Sequence, residues 1–145
     1  MAILPIPSQL TLEIVTPDRA ITHADVDEVV LPAAEGALGV LPGHTPALVS
    51  LQVGELWYRR GAEKTYLAVA FGFAEILSDR VIVLARVAER AEEIDIARAE
   101  SARRRAEQHL TVKAAPGATV DLERARVALL KSLLRLQVAA RARRG

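Results

Sequence analysis

Three histidines, His23, His44 and His109, are the side chains of this 145-residue sequence best suited by type to move a proton or hold a metal. None sits in an H-E-x-x-H pattern or beside a carboxylate at ligand spacing, so no metal site is expected. The chain has no cysteine. That excludes a thiolate zinc site, a cysteine nucleophile and a disulfide framework, and it fits a reducing compartment. The stretch Gly36-Ala37-Leu38-Gly39-Val40-Leu41-Pro42-Gly43 is glycine-rich, but it lacks the Gly-Lys-Ser/Thr of a phosphate loop and opens no clear helix, so it reads as a turn. His44, next in that loop, is either a solvated or capping histidine or a contact residue. No Ser/His/Asp order or nucleophile elbow is present. Arg103-Arg104-Arg105 could bind phosphate, yet on a helix the three fan over most of the circumference, as on a solvated face. These residues describe a chain that grips partners rather than one that runs chemistry.

The elements that would carry those residues fall into two halves. All five aromatics, six of seven prolines and six of eight glycines precede Ala88. Residues 1–88 carry six Lys/Arg against ten Asp/Glu, and residues 89–145 carry thirteen against eight. Two domains are expected, 1–88 and 89–145: an acidic β module and a basic helical pair. A module of roughly 85–90 residues folds alone but is marginal, burying about two-thirds of its unfolded surface. The apolar N-terminus is broken by Pro5 and Pro7 and is too short for a signal segment. No apolar run approaches the ~20 residues needed to span a bilayer.

Within the first half, Leu10 to Val15 alternates apolar and polar, the pattern of a half-buried strand. Val26 to Leu31 reads as a second strand and Pro46 to Val53 as extended. Gly54–Arg60 and Glu63–Val69 flank Gly61-Ala62, which fits a two-residue II′ hairpin. Gly72–Leu77 and Arg80–Leu84 flank Ser78-Asp79, another hairpin. Many short strands at regular spacing mean a sandwich or a barrel. On one of them either Trp57 is core and Tyr58 a contact, or the reverse. In the second half Asp95 is suited to cap a helix. Ala99, Ala102, Ala106 and Leu110 follow at helical spacing, and small residues let another helix approach. Thr111 to Val120, with Pro116-Gly117, reads as a connector. A second helix is expected from about Asp121. Its stripe of Leu122, Ala125, Leu129, Leu133 and Leu136, widened by Val127, Leu130, Leu134 and Val138, is too apolar to leave in water at ~25 cal/mol per Å². Helix one is its nearest partner. Two short helices on an alanine seam are weakly held, so the pair should be able to open.

Two segments together are specific: Glu35-Gly36-Ala37-Leu38-Gly39-Val40-Leu41-Pro42-Gly43-His44-Thr45-Pro46, and Ile94-Asp95-Ile96-Ala97-Arg98-Ala99 soon after the last strand. With the opening strand, Gly72-Phe73-Ala74-Glu75, the Val81–Ala85 strand and the two-helix tail in order, nearly the whole chain resembles the epsilon subunit of bacterial F-type rotary ATP synthases. The resemblance implies an α+β fold, an N-terminal antiparallel β-sandwich of about ten strands followed by a C-terminal antiparallel two-helix hairpin. It implies a non-catalytic rotor subunit that links the gamma subunit to the c-ring, peripheral to the cytoplasmic face of the bacterial inner membrane. Glu35, Gly36, Ala37, Leu38, Gly39, Pro42, Gly43 and His44 would form the c-ring and gamma interface. The family often has an acidic residue where this chain has Ala37, so backbone or apolar contact would replace a salt bridge there. The hairpin would extend into the alpha/beta ring and obstruct ATP hydrolysis, with Arg124, Arg126, Lys131 and Arg135 meeting acidic helices of the beta subunits. Such complementarity sets orientation and rate more than affinity.

In some relatives the folded hairpin binds ATP as a regulatory ligand. Glu89, Ile94, Asp95, Arg98 and Ala99 match the motif side of that site, and Arg105, Lys131 and Arg135 match its phosphate side. Lys131 stands where those relatives have arginine, which keeps the charge and loses the bidentate fork. No other cofactor is implied. Two further classes compete. A nucleic-acid-binding module would use the basic helices and lose affinity steeply with salt, but its cations are interleaved with Glu and Asp. A small-molecule enzyme would need convergent polar groups in the sandwich, and the sequence offers none.

Overall fold

The computed structural model describes residues 5–111 and 121–144. Eight strands are followed by a single 3-10 turn and two helices. The chain divides into two compact units, Met1–Arg90 and Ala91–Gly145. The compositional switch at Ala88 falls inside the last strand.

The first unit is built from β1 (Leu10–Val15), β2 (Ala20–Val26), β3 (Glu28–Ala33), β4 (Gly36–Val40), β5 (Ala47–Leu51), β6 (Gly54–Arg60), β7 (Glu63–Ile76) and β8 (Arg80–Arg90). They form one continuous sheet, ordered β2-β1-β8-β7-β5-β3-β4, with β6 between β3 and β7. It becomes a sandwich because β7 and β8 are long enough to serve both layers. The first half of β7 pairs with β6 and its second half with β5. β8 follows β7 throughout and also meets β1. Each layer thus has five strand segments, which is how eight strands give the expected ten. One pairing departs from the antiparallel expectation: β1 runs parallel to β8.

Period-2 alternation places the core. Leu10, Leu12 and Ile14 of β1 are fully buried and meet Val26, Leu31, Leu56, Val81 and Val83. The sequence reading needs three corrections here. Val26 to Leu31 is not one strand: the chain leaves β2 at Val26 and starts β3 at Glu28. Asp27 makes the break, its N–H donating to the Arg59 carbonyl (2.8 Å) while its carboxylate accepts the Gly61 N–H (2.6 Å). β2 itself was not expected, because an edge strand needs few large apolar residues and Ala20–Val26 supplies only Ile21 and Val26. Gly36 to Val40 is a strand, not a turn; Leu38 pairs with Leu31 and Val40 with Val29. Two glycines in five residues hide it, as glycine lowers strand propensity.

The turns follow expectation. Gly61-Ala62 joins the Arg60–Glu63 pair with positive φ at Gly61 alone (58°), as a II′ turn requires. Ser78-Asp79 sits at the tip of β7–β8, closed by the Leu77 N–H on the Arg80 carbonyl (2.9 Å). Tyr58 is buried and Trp57 faces outward, with the Lys64 ammonium 4.4 Å above its ring.

In the second unit the turn Ala91–Glu93 packs against the second of two helices, α1 (Ile96–Thr111) and α2 (Leu122–Arg144). Both start on an aspartate cap. The Arg98 N–H donates to the Asp95 carboxylate and the Arg124 N–H to that of Asp121, each at 3.1 Å. Thr111 closes α1; the rest of the expected connector, residues 112–120, lies outside the described residues, as do residues 1–4. The expected stripe of α2 is buried in part: Ala125 and Val138 are buried, Leu129, Leu134 and Leu136 half-buried, and Leu122, Leu130 and Leu133 exposed. Ala99 and Ala106 of α1 are buried, and so are Ala125, Ser132 and Ala139 of α2, each set at seven-residue spacing. Small side chains let the backbones close together, and that geometry turns Leu122, Leu130 and Leu133 outward.

The crossover of β7 between layers passes through Phe71 (φ 61°) and Gly72 (φ 118°). A Cβ on Gly72 would lie 2.0 Å from the Leu84 carbonyl oxygen, whereas one on Gly61 meets nothing within 4 Å. Gly72→Ala is expected to destabilise the sandwich by roughly 2–4 kcal/mol in denaturant unfolding, against roughly 1 kcal/mol for Gly61→Ala. Asp27 supplies a pH test. The Gly61 N–H bond, then the Gln9 amide, lower its pKa below 3.8. A lowered folded-state pKa means stability that is present above the unfolded value and lost as pH falls through the folded one. Unfolding midpoints measured from about pH 5 down to about pH 2 should therefore fall more steeply for the native chain than for Asp27→Asn.

Candidate functional site

Three surfaces carry the residues of interest, two on the sandwich and one on the helical pair.

The Glu35–His44 motif does not form one face. β4 lies between its two ends and carries the chain ~3.3 Å per residue. Glu35 sits at the exposed β3–β4 tip, and Gly36, Ala37 and Leu38 line a groove with Ala33, Val49 and Ser50. Gly39 is exposed in mid-strand. Pro42, Gly43 and His44 lie past the far end of β4. There the Gly43 N–H donates to the Ser78 carbonyl (2.8 Å), and the His44 ring Nδ1 lies 2.6 Å from the Thr45 carbonyl. Exposed Leu41 and Ile6 add apolar surface at this end, Ile6 packing on Gly43.

A second surface was missed in the sequence. On the outer face of β5, β7, β8 and β1, Ser50, Phe73, Leu84 and Val15 stand side by side across the sheet, with Leu48, Glu75, Ile82 and Glu13 in the next row. Phe73 is 54% exposed, Leu84 55% and Leu48 71%. The signal was available: Val81, Val83 and Ala85 are the buried set of β8, so Ile82 and Leu84 must point out. Covering one such side chain is worth about 1.5–3 kcal/mol, so the band is suited to docking.

The third surface is on the helices. Asp95, Arg98, Ser101, Ala102 and Arg105 of α1 and Arg135 of α2 line one groove of about 480 Å³. Half of the eight residues expected at a nucleotide site are thus brought together. Ile94 and Ala99 are buried and serve packing. Lys131 lies on a different groove with Arg124 and Val127, and Glu89 is on β8 of the first unit. The Asp95 carboxylate is already engaged as the α1 cap. Arg124 and Arg126 are exposed, and Lys131 and Arg135 half-buried. Of the arginine run, Arg103 is held by Glu100 (2.8 Å) and Glu107 (3.6 Å), while Arg104 and Arg105 are exposed. His23 pairs across strands with Glu13 (3.1 Å). Among the described residues no three His, Cys, Asp or Glu side chains gather at a metal-binding spacing, and no helix is long and apolar enough to cross a membrane.

The described residues thus form a β-sandwich unit and a two-helix unit. Residues 9–91 match the family model for the ATP synthase delta/epsilon chain β-sandwich domain, and residues 92–140 match the model for its long α-helix domain. The ATP synthase epsilon chain 2 of Syntrophotalea carbinolica is 44% identical over 137 residues, 94% of this chain and 98% of the relative. The epsilon chain of Herpetosiphon aurantiacus is 46% identical over 130 residues, 90% and 93% of the two chains. A chain in the cryo-EM structure of the Euglena gracilis mitochondrial ATP synthase (OSCP/F1/c-ring, rotational state 1) shares the fold, with a TM-score of 0.77 at 24% identity over 97% of this chain and 84% of that one. The chain belongs to the ATP synthase delta/epsilon family, as an epsilon-type, non-catalytic subunit.

Proposed function

We propose that this subunit links gamma to the c-ring through its sandwich and restrains ATP hydrolysis through its helical pair, at the cytoplasmic face of the bacterial inner membrane. The observation that carries the coupling half is the exposed band of Leu48, Phe73 and Leu84. It offers gamma apolar side chains on the outer face of one layer, with the Glu75 carboxylate beside them. The two ends of the Glu35–His44 motif, at opposite ends of β4, supply separate contacts, with the Gly36–Leu38 groove, bordered by Glu35, facing the c-ring loops. Their spacing supports one sandwich meeting two partners at once.

The restraint half rests on the helical pair. The buried side chains of its two helices are alanine and serine apart from Val138, and they bury little area, so the two helices are held together lightly. Arg124 and Arg126 are exposed in the closed pair, and opening would add the half-buried Lys131 and Arg135 for acidic helices of the beta subunits. The alpha/beta ring is the third partner. The groove of Asp95, Arg98, Arg105 and Arg135 has the charge for a nucleotide triphosphate, and ATP bound there would hold the pair closed. Shifting an equilibrium from 1:99 to 99:1 takes about 5.5 kcal/mol of differential binding, while a ligand at a hundred times its Kd contributes about 2.7 kcal/mol. Nucleotide would therefore bias the arm without fixing it.

Removing residues 91–145 tests the division of labour. The cut is placed after Arg90 because its guanidinium donates to the Ile21 carbonyl (3.0 Å), Thr22 Oγ1 (2.8 Å) and the Tyr58 hydroxyl (3.3 Å), tying β8 to β2 and β6. The truncated subunit should still assemble and couple, and ATP hydrolysis by the enzyme containing it should rise; unchanged hydrolysis would remove the restraining role and leave the coupling one. For the nucleotide, Arg98→Ala should abolish the ATP-induced rise in melting temperature of the isolated subunit. A shift equal to that of the unaltered chain would take Arg98 out of the site.

A further inference from the structure

The outer band of β5, β7, β8 and β1 holds two carboxylates among its apolar side chains, and their surroundings differ. Glu13 of β1 is met from the neighbouring strand by the His23 ring (3.1 Å). Glu75 of β7 has Leu48 of β5 directly across from it on one side and Ile82 of β8 on the other. Phe73 stands two residues back along the same face. Cross-strand neighbours lie about 4.5–5.5 Å apart between Cβ atoms, so the carboxylate rises from among apolar side chains. Glu75 is exposed, and among the described residues its side chain makes no hydrogen bond or ion pair. The cation that the register places nearest is Arg80 of β8, diagonal to Glu75 past Ile82. Its guanidinium is turned to Asp79 instead (3.7 Å).

We infer that Glu75 is the specificity-determining residue of this band, and that the gamma surface docking there presents one cationic side chain, a guanidinium or an ammonium, ringed by apolar groups. The inference rests on the band being the gamma dock. In the free subunit water solvates Glu75. A surface that covers Leu48, Phe73 and Leu84 closely enough to gain from their burial also strips water from the carboxylate beside them. An ionised carboxylate desolvated without a partner costs more than one buried apolar side chain returns. A purely apolar surface is therefore rejected, and one that carries a cation at that point is selected. The discrimination comes from the penalty on wrong partners as much as from the ion pair itself. Glu13 makes a weaker demand, because the His23 ring already accompanies one of its oxygens.

The test measures binding of full-length variants to the soluble sector of the enzyme, containing gamma and purified without this subunit. Glu75→Gln keeps the shape of the side chain and removes its charge. It should bind about thirtyfold more weakly or worse, through faster dissociation, because it leaves the partner's cation buried alone. Its unfolding midpoint should match that of the unaltered chain, as no contact within the sandwich is lost. Leu84→Ala, which tests the band itself, should weaken binding by about tenfold. Arg80→Gln should bind like the unaltered chain. Full affinity of Glu75→Gln beside a weakened Leu84→Ala would overturn the cation and leave the gamma dock standing. Full affinity of both would remove the dock and the inference with it. A Glu75→Gln loss without a Leu84→Ala loss would overturn it likewise, since the pair would then sit in water. An Arg80→Gln loss as large as that of Glu75→Gln would assign the cation to this chain's own Arg80, and a lowered unfolding midpoint in Glu75→Gln would assign the carboxylate to the fold; either result overturns the inference.

Discussion

The sandwich depends on one close approach, that of the Gly72 Cα to the Leu84 carbonyl. β7 and β8 run as a pair through both layers, and a pair of strands can change layers only by bending sharply together. The bend is at Phe71 and Gly72, both at positive φ. The space a side chain would need at Gly72 is filled by the backbone of β8. Because β8 also carries β1, and β7 carries β5 and β6, this point of contact sets the register of most of the sheet. It also fixes which residues of β8 face outward, so the apolar band of Phe73 and Leu84 is a product of the same bend.

The helical pair obeys the opposite principle. Apart from Val138, its buried side chains are the smallest, repeated every seven residues, and its precision comes from the ends, where Asp95 and Asp121 cap α1 and α2. Caps of this kind are worth about 0.5–2 kcal/mol each, comparable with what a short alanine seam supplies. The start of α1 and the wall of the Asp95–Arg98–Arg105–Arg135 groove are thus the same few residues. Anything that binds there acts on the stability of the helix itself.

Much of this was legible in the sequence, for identifiable reasons. Strict alternation in Leu10–Val15, glycine at the first position of the Gly61-Ala62 turn and aspartate ahead of each helix are local signals, and the structure keeps them. Signals that depend on what lies across the gap were not legible. Gly36 to Val40 is a strand because β3 is beside it, not because its own residues favour one. Ala125 and Val138 of the expected α2 stripe are buried, but the small faces of α1 leave Leu122, Leu130 and Leu133 exposed and bury Ser132 and Ala139. Half of the expected nucleotide residues converge, since Asp95, Arg98 and Arg105 follow helical spacing. Lys131 does not, as it lies one turn of α2 before Arg135 on a different groove.

β2 and β4 close the sheet at its two ends, and each is paired on one side only. Open edges of this kind invite strand addition from other chains. The same molecule also shows a greasy outer stripe and three outward leucines on α2. Pairing the open edges and covering these apolar side chains would remove surface that otherwise favours self-association.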